Sequence, residues 1–143
     1  MGFVKNILEG RKQNSIFSVA PGLMVYHAIE LMCEKNIGGL VIVEEGKLVG
    51  IFTERDYARK LILKGKSSKD TPIRELMTPN PITVSLASSI EDCMKIMTDK
   101  HIRHLPVVEN EQLVGVISIG DLVKQIIEEQ KFIIESLEHY ITG

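Results

Sequence analysis

Leu48-Val49-Gly50-Ile51-Phe52-Thr53-Glu54-Arg55-Asp56 reads as the end of a buried strand, a glycine and the opening of a helix, and it occurs twice. The second copy, Leu113-Val114-Gly115-Val116-Ile117-Ser118-Ile119-Gly120-Asp121, keeps leucine, valine, glycine, a small hydroxyl residue and aspartate in the same order, 65 residues later (115 − 50). The alignment extends outward without a gap from Val19/Val84 to Asp56/Asp121. Met32/Met97, Lys35/Lys100, Ile37/Ile102, Leu40/Leu105, Val43/Val108 and Glu44/Glu109 are identical along it. A period of this length marks a duplicated supersecondary unit that cannot bury its apolar faces alone.

Periodicity gives each copy its elements. In the first, Ile16 to Val19 reads as a strand. Val25, Ala28, Ile29 and Met32 fall at i, i+3, i+4 and i+7, which predicts an amphipathic helix from about Leu23 to Lys35. Leu40-Val41-Ile42-Val43 is a short apolar run, the pattern of a strand covered on both faces, and Glu44-Glu45-Gly46-Lys47 is a hairpin turn into the next strand. A helix then runs from about Glu54 to Lys64. In the second copy Ile82 to Ser85 is the strand, Ser88-Ser89-Ile90-Glu91 reads as a capping box, and Ile90, Cys93, Met94 and Met97 repeat the helix face. Two short helical turns precede the copies, one carrying Val4, Ile7 and Leu8 and ended by Gly10 and the polar run Arg11 to Asn14, the other at Ile73 to Met77 and stopped by Pro79 and Pro81.

The linker-like segment 65–72 places a boundary between 1–65 and 66–124, leaving 125–143 as an extension. Past Asp121 the pattern changes, because Val123, Ile127, Gln130, Ile134, Leu137 and Ile141 step alternately by four and three residues, a heptad seam. A helix carrying that seam is expected to pair with a second copy of the chain. The competing reading is a helix folded back across its own sheet.

Composition narrows the functional classes. The 143 residues are 44% hydrophobic and 25% charged with net charge −2, an ordinary globular balance without general attraction for nucleic acid or anionic membrane. No apolar run reaches the roughly 18 residues of a membrane span. Cys33 and Cys93 lie in apolar helical patterns and read as buried free thiols, which suits a reducing cytoplasm. No nucleophile–base pair or paired carboxylates occur at usable spacing, so an enzyme is not expected. His101 and His104 at i, i+3 lack a nearby third ligand, so no metal is expected.

Thr53-x-x-Asp56 and Ser118-x-x-Asp121 admit two readings. As helix caps, each stabilises a helix start by about 1 kcal/mol without any ligand. As a site, a helix N-terminus with a hydroxyl can hold phosphate, while a carboxylate one turn on accepts both hydroxyls of a ribose, and together these point to a nucleotide. The preceding glycine lets a ligand or the neighbouring copy approach the backbone.

The duplicated unit, with Gly-x-x-Thr/Ser-x-x-Asp closing each copy and His101-Ile102-Arg103-His104-Leu105-Pro106-Val107-Val108 before the last hairpin, resembles a tandem pair of CBS domains, a Bateman module, over about residues 4 to 125. The resemblance implies an α+β (α/β) fold of two βαββα units, related by a pseudo-twofold axis and packed sheet to sheet, with a long C-terminal helix. It further implies adenosine ligands in the clefts between copies: AMP foremost, or ADP, ATP, NAD or S-adenosylmethionine. Asp56 and Asp121 would hold ribose, with Thr53 and Ser118 beside the phosphates. The sites are expected to be crossed, Asp56 sharing a ligand with Thr83, Val84, Arg103, His104, Leu105 and Pro106, and Asp121 with Ser18, Val19, Gly38, Gly39 and Leu40. Arg55, Arg103 and His104 would then make the Asp56 site the one that prefers phosphate, while glycines leave the Asp121 site to a less charged group. The expected function is a regulatory module, a cytoplasmic homodimer acting through an unidentified partner; the alternative is a ligand-free scaffold whose caps are structural.

Overall fold

The computed structural model describes residues 2–11 and 18–142. The chain forms two compact units, one of residues 16–82 with 110–113, the other of residues 1–15, 83–109 and 114–143. The helix that precedes the first copy in sequence therefore folds with the second copy.

In the first unit, β1 (Ser18–Val19), α2 (Val25–Lys35), β2 (Gly39–Glu44) and β3 (Lys47–Thr53) follow α1 (Val4–Glu9) of the other unit in chain order. The start of the expected strand, Ile16 and Phe17, lies outside the described residues. β1 runs parallel to β2, with Ser18 opposite Val41 and Val19 opposite Ile42. β2 and β3 are antiparallel, from Gly39 opposite Thr53 to Glu44 opposite Lys47, with an irregularity after Ile42. Their connection is a two-residue turn with positive φ at Glu45 and Gly46, the geometry that matches the twist of a hairpin. β4 (Thr78–Pro79) closes the sheet against Gly50 and Ile51, giving the order β1-β2-β3-β4. Val25, Ala28 and Met32 of α2 pack with Leu40, Ile42 and Phe52 of the sheet, and Ile73 and Leu76 of a short 3-10 turn complete the core. After Thr53 the next helix, α3, is α only over Glu54–Asp56 and continues as a π-helical turn over Tyr57–Leu61. It is thus wider than the α-helix its sequence predicts.

The second unit repeats this at the 65-residue offset. α4 (Ile90–Lys100) buries Ile90, Cys93 and Met97 against Leu105, Val107 and Ile117 of β5 (His104–Glu109) and β6 (Gln112–Ser118). The cap of α4 is Ser89, whose Oγ accepts from the Asp92 amide at 3.1 Å, while Ser88 Oγ accepts from the Ser85 amide at 3.0 Å. In place of the box anticipated with Glu91 there is a single cap, one residue on. The strand expected over Ile82 to Ser85 shrinks to one parallel bridge, Val84 to Val107. Val4 and Ile7 of α1 enter this core, as Ile73 and Leu76 enter the other. Full burial of such side chains contributes roughly 1.5–3 kcal/mol each, so both pre-copy turns hold their units together.

α5 (Ile119–Thr142) is continuous over 24 residues. Its N-terminal part lies on the core through Leu122 and Ile126. Beyond it, Phe132, Ile134, Leu137, Tyr140 and Ile141 are exposed, so the seam is not folded back onto this chain.

Candidate functional site

Each copy places its aspartate at the junction of a strand and a helix, and local hydrogen bonds fix the carboxylate there. In the first unit the Thr53 amide donates to Asp56 Oδ2 at 3.0 Å and the Asp56 amide returns to Thr53 Oγ1 at 3.2 Å, a reciprocal capping box. In the second the Ser118 amide donates to Asp121 Oδ2 at 2.8 Å and the Asp121 amide to Ser118 Oγ at 3.1 Å. The next amide is also anchored identically, Glu54 N–H to the Gly38 carbonyl at 3.0 Å and Ile119 N–H to the Arg103 carbonyl at 2.9 Å. The residue just before β2 or β5 is thereby held against the helix start of its own copy.

The two carboxylates differ in the cation they hold. Lys60 Nζ lies 3.0 Å from Asp56 Oδ1, one helical turn on. The same ammonium reaches the Leu76 carbonyl at 3.1 Å and Thr78 Oγ1 at 3.4 Å, and Thr78 Oγ1 donates to Asp56 Oδ1 at 3.3 Å. At the 65-residue offset Lys60 is replaced by Gln125 (60 + 65), which has no charge to offer. Arg11, directly after the first helix of the chain, takes that place. It forms an ion pair with Asp121 Oδ2, and its Nη1 donates to the Val116 carbonyl at 2.6 Å.

The expected site residues fall into two sets, each within one unit. Ser18 and Val19 lie on β1, Gly38 precedes β2, Gly39 and Leu40 open it, and Thr53, Arg55 and Asp56 close β3 and start the next helix. In the other unit Thr83 is exposed and Val84 buried, Arg103 precedes β5, and His104, Leu105 and Pro106 begin it. Ser118 and Asp121 then mark the β6–α5 junction. Asp121 consequently has Arg11 on its carboxylate and the Arg103 backbone beside its motif. Arg11 is a cation at Asp121 that the comparison of the two copies did not reveal. Lys60, Thr78 and Arg11 are the site residues that sequence reasoning missed. Only Lys60 had a local signal, since an acid followed four residues later by a lysine is a helical ion pair.

At both glycines the backbone is approached by chain from the other half of the sequence, one of the two uses expected of them. A Cβ on Gly50 would meet the Met77 side chain, with Cγ at 3.0 Å, and the Thr78 carbonyl at 3.2 Å; one on Gly115 would meet both Leu8 methyls, at 2.8 and 2.9 Å. What approaches the backbone at each position is the pre-copy turn of the same unit.

Cys93 is buried as expected, and burial, followed by the negative charge of Asp92, pushes its thiol pKa up. Cys33 is exposed, because its repeat equivalent is Thr98 (33 + 65) rather than Cys93, one step off the α2 face that carries Val25, Ala28 and Met32. His101 is the left-handed C-cap of α4 with φ 56°, the role of Asn36 on α2 with φ 53°. Among the described residues no group of three or more His, Cys, Asp or Glu comes together, and no helix is long and apolar enough to cross a membrane.

The sequence profile of the CBS domain matches residues 7–63 and 73–128. The mitochondrial CBS domain-containing protein CBSX3 of Arabidopsis thaliana is 41% identical over 124 residues, 83% of this chain and 60% of the relative, so the match spans less than two thirds of that protein. A protein with CBS domains from Burkholderia ambifaria MC40-6 superposes with a TM-score of 0.87 at 44% identity, over 90% of this chain and 96% of the other. Two further similar structures carry ligands. The CBS domain pair of protein MJ0100, with 5′-methylthioadenosine and S-adenosyl-L-methionine, has a TM-score of 0.75 at 27% identity, covering 90% of this chain and 98% of that one. CBSX2, with AMP, has a TM-score of 0.73 at 26% identity and the same coverage of each chain. With two profile matches over most of its length and the fold of these relatives, this chain belongs to the CBS-domain family, as a tandem pair.

Proposed function

We propose that the chain is a regulatory module that binds adenine nucleotides, AMP foremost, through Asp56 and Asp121. The observation that carries this is the duplicated strand–helix junction, where a hydroxyl and a carboxylate sit one helical turn apart at the helix N-terminus in both copies. Such a junction offers backbone amides and a hydroxyl to phosphate and a carboxylate to a ribose diol. AMP in CBSX2 and S-adenosyl-L-methionine in the MJ0100 pair show adenosine ligands on this fold at comparable identity. ADP, ATP and NAD share the adenosine portion and belong to the same proposal.

The module works by binding, without chemistry of its own, and passes occupancy to a partner protein. Residues 125–143 pair two protomers through the exposed heptad face of α5, so removing everything after Lys124 weakens the dimer at least about tenfold in sedimentation. An undiminished dimer refutes that role.

The ligand-free scaffold is the second reading, favoured by the completeness of both caps without a nucleotide. The two readings separate in a thermal-shift titration with AMP, ADP, ATP, NAD and S-adenosylmethionine. A ligand at 100 times its Kd adds about 2.7 kcal/mol, or roughly 5 to 10 °C in Tm for a chain of this length. An unmoved midpoint with every ligand supports the scaffold. Asp56→Ala and Asp121→Ala are each expected to remove one site, raising its Kd about 100-fold through loss of charged hydrogen bonds. Unchanged titrations in both would overturn the ribose assignment.

A further inference from the structure

We propose that Arg11 sets the phosphate preference of the Asp121 site, competing with the ribose diol for the carboxylate when a ligand lacks phosphate and moving onto the phosphate when one is present. The inference rests on the reading of Asp121 as a ribose-binding residue.

The repeated motif cannot itself decide between phosphorylated and unphosphorylated ligands. It is nearly the same in both copies, and relatives with this fold hold AMP on the one hand and 5′-methylthioadenosine and S-adenosyl-L-methionine on the other. Selection must come from a residue outside the motif that touches it. Arg11 meets that condition at Asp121, with one arm of its guanidinium on Oδ2 and the other on the Val116 carbonyl. Its side chain lies outside the hydrophobic core cluster and outside the Ser118–Asp121 box, so it can leave Asp121 while that box stays closed.

The chemistry of the fork favours an exchange. A ribose diol donates its hydrogens to a carboxylate, and Oδ2 already accepts from the Ser118 amide and Arg11. A nucleoside that engages Oδ2 therefore displaces or crowds the guanidinium and leaves that cation without its acid. A nucleoside 5′-phosphate brings a replacement, because a guanidinium pairs with two phosphate oxygens as well as with a carboxylate. In a 5′-nucleotide the phosphate lies one sugar ring from the diol, a displacement that an arginine side chain spans without backbone movement. The ion pair is partly open, with Arg11 22% and Asp121 31% exposed, so water and ligand reach it and its disruption does not strand a buried charge. Lys60 at Asp56 is less suited to the exchange. It is a point charge tied to the Leu76 carbonyl and Thr78 as well as to the acid, and it offers no fork.

The test measures adenosine and AMP affinities by calorimetry on the full chain, with Asp56→Asn to silence the other site while keeping its cap. Against that background, Arg11→Gln is expected to tighten adenosine and weaken AMP, shrinking the AMP-over-adenosine preference at least about tenfold. Arg11→Lys, which keeps the charge without the fork, is expected to retain an intermediate preference and controls for folding. Opposite signs for the two ligands are a result that a merely structural arginine would not produce. If both affinities move by the same factor, or neither moves, while Asp121→Ala abolishes binding, the role of Arg11 is refuted and the ribose assignment stands. If Asp121→Ala leaves AMP binding intact, the ribose assignment fails and the role of Arg11 fails with it.

Discussion

Asp56 and Asp121 occupy the same place in two copies of one unit, yet the cations on them come from different parts of the chain. Asp56 takes Lys60 from its own helix and is 12% exposed; Asp121 takes Arg11 across 110 residues of sequence and is 31% exposed. The comparison separates what duplication fixes from what it leaves free. Strand, hairpin, cap and the amide anchored to the preceding loop are local and appear in both copies. The counter-charge is a single side chain, and any chain segment that passes the junction can supply it. A duplicated site can thus keep its geometry while its electrostatics diverge.

The largest contrast between the copies is predicted at their cysteines. Thiolate is the reactive form, and reactivity needs access as well as ionisation. Cys33 is exposed, whereas Cys93 is buried with a raised pKa. An alkylating reagent is expected to modify the exposed Cys33 readily and Cys93 at least about 1000-fold more slowly, since Cys93 waits for an opening of the second core. Peptide mass mapping over time reads both rates in one sample. Similar rates would show that α4 does not protect its buried face.

A smaller effect is expected at the paired glycines. Gly50→Ala pushes a methyl toward Met77 and the Thr78 carbonyl, which is backbone and part of β4; Gly115→Ala pushes one toward the tips of Leu8, a side chain that can rotate. Overpacking costs about 1–3 kcal/mol, so Gly50→Ala belongs at the upper end and Gly115→Ala near 1 kcal/mol. In a thermal melt this is roughly 5 to 10 °C against 2 to 4 °C. The reverse order would mean that α1 is held more rigidly across β6 than β4 is across β3.

These contrasts also show why the sequence disclosed some features and hid others. The repeat, the two amphipathic helices, both hairpins, the α5 seam and both aspartate motifs were legible, because each is written in spacings of two to seven residues or in one fixed offset. The strand at Ile82 to Ser85 was overestimated because an apolar run reports burial, whereas a ladder also needs a partner with free edges, and only Val84 finds one. Cys33 was misplaced because two apolar helices looked alike while its residue faces a different way. The π-turn at Tyr57–Leu61 has no signature in the residue pattern. Arg11 sat in a polar run whose plain meaning was the end of a helix, and no spacing rule connects it to Asp121. Folding the first helix with the second copy is what brings it there.

Lys60→Gln is the smallest change and the one aimed most directly at the comparison, because it gives the first copy the residue that the second has at Gln125. An acid followed at i+4 by a lysine contributes a few tenths of a kcal/mol in a helix, and Lys60 is a third exposed, so solvent screens much of its attraction to Asp56. Its bonds to the Leu76 carbonyl and Thr78 raise the total to about 0.5–1 kcal/mol, or about 1 to 4 °C in Tm. The electrostatic share is expected to fade with added salt, so the gap between Lys60→Gln and the parent narrows between 0.05 and 0.5 M salt, as the Debye length drops from about 14 to about 4 Å. A gap that ignores salt would mean that Lys60 acts by tying the helix to the Leu76 carbonyl. Asp56 would then differ from Asp121 in having a structural brace where the other has a displaceable ion.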